Sequence, residues 1–178
     1  MTLGYCTPAS AGASIPITMN KSILALLAAT LPLTAIADDR ADCQAAAGTF
    51  LIGKVTQEPR FAEGKTRRNG IWLSHTVLTV VDREGHSYRI AADNVFASGY
   101  VHNQRAIPSP LDTIHVGDKL ELCGQAFSDP SQDGLHWVHT NCGARPTRNK
   151  PDGWIKLIGS DGRAGPNMEG NTRYCGLW

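Results

Sequence analysis

Two histidines three residues apart, His136 and His139, flank Trp137 and Val138, and Arg145, Arg148, Asp152 and Trp154 follow within the run 134–155. Imidazole titrates near pH 6.5 and suits proton transfer or metal ligation. Indole faces stack on sugars or bases, and guanidiniums hydrogen-bond polar edges. The first half of the run, 135–141, alternates as a β-strand does, placing Leu135, Trp137 and His139 on one face and His136, Val138 and Thr140 on the other. On a helix, residues three apart share a face and could grip one ion, but on a strand His136 and His139 diverge. No metal and no cofactor is therefore expected, and Trp137, His139, Arg145, Arg148 and Trp154 are expected to form a ligand-binding surface. In the rival reading Trp137 and Trp154 pack together and fix the tail.

An enzyme would use His136 or His139 as a general base, with Asp152 or a metal as helper. No GxSxG, HExxH or paired-carboxylate motif accompanies them. A single-stranded nucleic-acid binder is the other alternative, since indole stacking and Arg/Lys contacts hold such strands. Charge argues against it. The chain carries 17 Lys+Arg against 16 Asp+Glu, which lacks the basic footprint of such proteins.

The elements that would position these groups follow a leader-like start. Residues 1–18 show no periodicity and read as an upstream start. Residues 19–37 have a short positive region at Lys21, an apolar run and the small-residue site Ala35-Ile36-Ala37, the plan of a secretory signal peptide cleaved before Asp38. The apolar run, broken by Pro32, is shorter than the ~20 residues a membrane span needs, so no anchor is expected after cleavage. Removing 1–37 takes away Lys21 and leaves 16 basic against 16 acidic residues. It also removes Cys6 and leaves Cys43, Cys123, Cys142 and Cys175, an even set without a CxxC pair. In an oxidising periplasm or outside the cell this reads as up to two disulfides with three connectivities. The expected pairing is Cys142 with Cys175, holding the tail, and Cys43 with Cys123, holding a helix to the body.

The remaining chain fits one domain. Residues 39–47 read as a short helix stopped at Gly48. Strands are expected at 50–57, 75–82, 86–92, 119–127 and 135–141, with kinks at Gly53 and Gly124, a hairpin turn at Arg83-Glu84-Gly85 and flexible or polar loops at 58–70 and 128–133. Five bent strands fit a small OB-like antiparallel barrel better than a sandwich of about seven strands. The fold class is thus mainly all-β, with the OB-like domain over 38–158 and an irregular C-terminal extension over 159–178; the wider stretch 143–178 is locally basic, with six Lys/Arg against three acids.

The segments His136-Trp137-Val138-His139 and Asp152-Gly153-Trp154-Ile155, with the turn Val116-Gly117-Asp118 upstream, resemble a family of small exported bacterial proteins of unknown function marked by an HWTH and a later GW segment. The resemblance covers about Phe50 to Ile158 and implies an exported, compact β-rich domain, with no activity to carry over. Thr140 and the stretch Asn149-Lys150-Pro151 replace histidines common in that pattern. The expectation is an exported binding module for a cell-envelope glycan or a periplasmic protein partner.

Overall fold

The computed structural model describes Met1 and residues 31–177, with side chains from residue 38 onward; residues 2–30, which hold most of the expected upstream start and signal peptide, and Trp178 lie outside the described residues. In chain order its elements are α1 (Leu31–Ala45), β1 (Thr49–Val55), β2 (Arg60–Ala62), β3 (Arg67–Arg68), β4 (Ile71–Trp72) and β5 (His75–Val81). There follow β6 (Ser87–Asp93), β7 (Lys119–Asp129), β8 (Gln132–His136) and β9 (Trp154–Ile158). Five strands close a ring in the order β1-β5-β6-β8-β7, with β7 returning to β1. Every seam is antiparallel except β6–β8, which is parallel. This is the five-stranded Greek-key barrel of the OB type.

The ring forms because each strand alternates. In β5 the sequence HTVLTVV sends Thr76, Leu78 and Val80 inward, and all three are fully buried. Ile90 and Ala92 of β6, Leu120 and Leu122 of β7, Leu135 of β8 and Val55 of β1 fill the same core. The segment between β6 and β7 closes one end with Ala97, Leu111 and Ile114. Thr76 does not strand its hydroxyl inside: it donates to Asn94 Oδ1 at 2.6 Å, and Asn94 Nδ2 donates to Ser74 Oγ at 3.0 Å. Gly124 permits the corner of the barrel, since a Cβ there would lie 2.7 Å from the His136 carbonyl oxygen.

Two disulfides, Cys43–Cys123 and Cys142–Cys175, pair as the sequence leads one to expect. The first ties α1 to β7. The helix is held further by Asp39, whose Oδ1 accepts from Lys156 Nζ at 2.8 Å, and by Arg40, 4.6 Å over the Phe50 ring. These contacts all lie beyond the expected cleavage point. α1 itself begins at Leu31, earlier than the expected start at 39, and it ends at Ala45, with the left-handed φ of 60° taken by Ala47 rather than Gly48.

The C-terminal extension lies across the barrel. Met168 N–H donates to the Ile155 carbonyl, Asn171 N–H to that of Phe96, and Thr140 N–H to that of Glu169. Around the Cys142–Cys175 bridge, Tyr174 and Leu177 pack on Leu73, Phe96 and Tyr100. A two-disulfide body fits an oxidising, exported environment, and among the described residues no helix is long and apolar enough to cross a membrane.

Three expectations are corrected. The strand expected over 135–141 occupies Gln132–His136: it begins early because the polar stretch 128–133 is not a loop, β7 running to Asp129 and turning tightly into β8, and it stops at His136 because Trp137 takes a positive φ. The segment 58–70, read as a flexible loop, carries β2 on the edge of β5 and half of the β3–β4 hairpin. β9 was not counted as a strand, yet it pairs with β7 from Lys119 to Cys123.

Candidate functional site

Trp137 breaks the alternation on which the histidine geometry rested. Its φ is 54°, so the chain leaves the sheet after His136, and the bend crosses Gly153, where a Cβ would sit 2.5 Å from the Trp137 carbonyl oxygen. The glycine immediately ahead of β9 is thus what lets the bend pack close. Val138 turns into the barrel core, and His139 is buried to 1% exposure, stacked flat on Phe96 at 3.8 Å between ring centroids. His136 stays on the outer face of β8, its ring edge-on to Phe127 at 5.6 Å.

Of the five residues expected to make the ligand surface, the structure brings Trp137 and His139 together, with ring centroids 4.8 Å apart. Lys150 Nζ lies 5.7 Å from the Trp137 ring. Trp154 joins a different group: its indole N–H donates to Glu121 Oε1 at 3.0 Å, and Lys156 Nζ, 4.6 Å from its ring, also reaches Glu121 at 3.1 Å. Arg145 and Arg148 are exposed. Asp152 accepts the Asn141 backbone N–H at 2.9 Å and so holds the loop.

Asp93, which sequence reasoning passed over, is the centre of the polar network. Its Oδ1 lies 2.8 Å from His75 Nε2 and its Oδ2 3.2 Å from His139 Nε2. Burial alone would raise the Asp93 pKa, but hydrogen bonds from His139 and His75, with their charges, hold it well below the usual carboxylate range. The Asp93 hydrogen bond in turn raises His75, against the pull of its partial burial. His136 is lowered, chiefly by burial. Glu169 of the extension is fully buried nearby. Burial and the Asp93 carboxylate push its pKa well up, the Asp93 backbone N–H pulling weakly the other way.

This network is structural in its geometry. His139 offers no surface to a substrate, and the hydroxyls beside His75, those of Ser74 and Thr76, are buried and committed to Asn94. Among the described residues no group of three His, Cys, Asp or Glu side chains has metal-holding geometry.

A second feature is shaped to receive a ligand. The segment joining β1 to β5 and the segment after β6 line an open hollow of about 180 Å³. Phe61, Trp72 and Tyr100 give it ring surfaces; Glu63, Asn103, Gln104 and Arg105 give it planar polar groups. Trp72 is 40% exposed, and among the described residues it is the one tryptophan that counts as an exposed large apolar side chain, beside Met1, Val101 and Val116. Arg67 lies directly opposite it in the β3–β4 hairpin and 4.9 Å over its ring, which steadies it. Arg105 Nη2 donates to Glu63 Oε1 at 2.8 Å across the rim. The hairpin was announced by Asn69-Gly70, whose φ values of 47° and 83° are those of a type I′ turn; the basic run around it masked the signal.

Comparison of the chain with protein-family models, with curated proteins and with solved structures gives no match, so the reading of this site rests on its own geometry.

Proposed function

We propose that this protein is an exported carbohydrate-binding module that seats a sugar ring of a cell-envelope glycan in the Phe61–Trp72–Tyr100 hollow. The observation that carries the reading is the pairing, in one small hollow, of an exposed indole with amide, guanidinium and carboxylate groups. Sugars present apolar C–H faces that pack on rings, and adjacent hydroxyls that planar amides and guanidiniums can bind in pairs. The hollow's place supports the same reading. OB barrels hold oligosaccharides on the face of their second and third strands and on the loop between the first and second, and β2, β3 and β4 are that loop here. Export rests on residues 19–37 acting as the cleaved leader and on the two disulfides.

The test is binding of soluble peptidoglycan fragments and other envelope saccharides, by calorimetry, to the disulfide-bonded protein beginning at Asp38. Trp72→Ala and Gln104→Ala are each expected to weaken binding about tenfold or more, equivalent to roughly 1.4 kcal/mol, with the melting transition nearly unchanged. Saccharide binding that survives both substitutions, or binding confined to single-stranded nucleic acid, contradicts the proposal.

A further inference from the structure

A different face of the barrel carries an unfilled strand position. β1 pairs with β7 along its whole length from Thr49 to Lys54, but with β5 only through Lys54 and Val55. The ladder fixes which groups are left over. Val55 N–H donates to the Asp118 carbonyl on the β7 side, whereas Thr56 N–H donates to Thr79 on the β5 side. Counting back by the two-residue period of a strand, the N–H and C=O groups of Phe50 and Ile52 point to the β5 side, where among the described residues no strand pairs with them.

That side is a groove of about 880 Å³, with Phe50, Leu51 and Ile52 along one wall and Val81 and Tyr88 along the other. It runs into a second hollow of about 410 Å³ that shares Phe50, Leu51 and Tyr88 and continues to Phe127 and Leu135. Open backbone groups beside apolar recesses are what a peptide needs to add itself as a strand, the backbone supplying hydrogen bonds and the recesses taking alternate side chains.

The rim states the charge of the occupant. Lys54 and Lys119 are cross-strand neighbours, directly opposite in the β1–β7 register, and both are lining residues of the groove. Like charges so placed destabilise a sheet, and no acid pairs with either among the described residues. Arg40 adds a third cation, over the Phe50 ring. The acids on this rim are engaged: Glu84 with Arg83, and Asp82 with His86 and Tyr88.

We propose that the open edge of β1 takes up an extended segment of a partner protein as an added strand, the segment alternating apolar residues, seated in the groove, with acidic residues that meet Lys54, Lys119 and Arg40. The site is separate from the sugar hollow and does not depend on it.

The probe is a set of acetylated, amidated peptides that alternate Val, Ile or Tyr with Glu, titrated into the protein beginning at Asp38 while amide hydrogen exchange is followed. Binding is expected in the micromolar range, with slowed exchange at the Phe50 and Ile52 amides. N-methylation of the peptide amides that face β1 is expected to abolish it, as is replacing Glu by Lys in the peptide. The double variant Lys54→Glu, Lys119→Glu, with both changes exposed, is expected to lose the acidic peptides and gain the basic ones. Absence of binding across the set, binding that leaves Phe50 and Ile52 exchange unchanged, or equal binding of N-methylated peptides would overturn the proposal. So would a concentration-dependent dimer that protects the same amides without peptide, since the occupant would then be a second copy.

Discussion

His139 is clamped at both ring nitrogens: its Nε2 lies 3.2 Å from Asp93 Oδ2 and its Nδ1 2.7 Å from the carbonyl oxygen of Thr140. The ring also stacks on Phe96 and leans on Trp137. It thereby joins the end of β6 to the bend after β8, and the most polar residue of the focal run becomes a packing element.

Replacing His139 by alanine removes a buried ring and leaves the buried Asp93 carboxylate with one imidazole. A cost of about 3–5 kcal/mol is expected, the range for deleting a large buried side chain or breaking a buried pair. Urea unfolding measures it. A cost below about 1 kcal/mol would contradict the clamp.

Asp93 and Glu169 give opposite pH slopes. The folded pKa of Asp93 is depressed, so its contribution is complete above its unfolded value and is lost as pH falls below that value toward the folded one. The folded pKa of Glu169 is raised above its ordinary 4.5, so the native state holds the proton longer than the unfolded chain. Stability then falls as pH rises from about 4.5 through the folded value. Glu169→Gln keeps the shape and removes only the second slope. The variant is expected to melt above wild type at pH 7, with the difference shrinking below about pH 4.5; a variant less stable at neutral pH would contradict the assignment.

The two disulfides differ in the loops they close, 80 residues for Cys43–Cys123 and 33 for Cys142–Cys175. Removing either is expected to cost ~2–5 kcal/mol, the longer loop about 0.8 kcal/mol more on chain entropy alone. Paired Cys→Ser variants compared by denaturant unfolding check this. The Cys142→Ser, Cys175→Ser protein should also expose the 166–177 segment to proteases, which the other variant should not.

Gly153→Ala sets a methyl group against the backbone oxygens of Trp137 and Cys123, 2.5 and 2.6 Å from its Cβ. Neither can move without disturbing β7 or the bend, so a cost of roughly 1–3 kcal/mol is expected. An unchanged melting temperature would mean that the bend gives way freely.

The barrel was legible because its strands carry their own evidence: HTVLTVV alternates without a break, and its neighbours pair across turn residues. The disulfides were legible because setting aside the expected leader leaves an even set, with one cysteine in the helix, two on or after strands and one in the tail. The site was not legible. Alternation at Trp137 looks sound locally, and what breaks it is a bend packed on Gly153, far along the chain. The Asp93 network joins His75, His139 and Glu169 from three separate segments, and no local pattern announces such a meeting. Trp72 was within reach, since Asn69-Gly70 specifies a hairpin that sets Arg67 opposite it.

The most direct test of the sugar-binding account is a heteronuclear NMR titration of the protein with a peptidoglycan disaccharide, following the indole N–H signals of Trp72, Trp137 and Trp154 and the side-chain amides of Asn103 and Gln104. The account predicts that Trp72, Asn103 and Gln104 shift together along one saturation curve while Trp137 and Trp154 stay in place. Shifts confined to Trp137 or Trp154, or no saturable shift at Trp72 with any envelope saccharide, would contradict it.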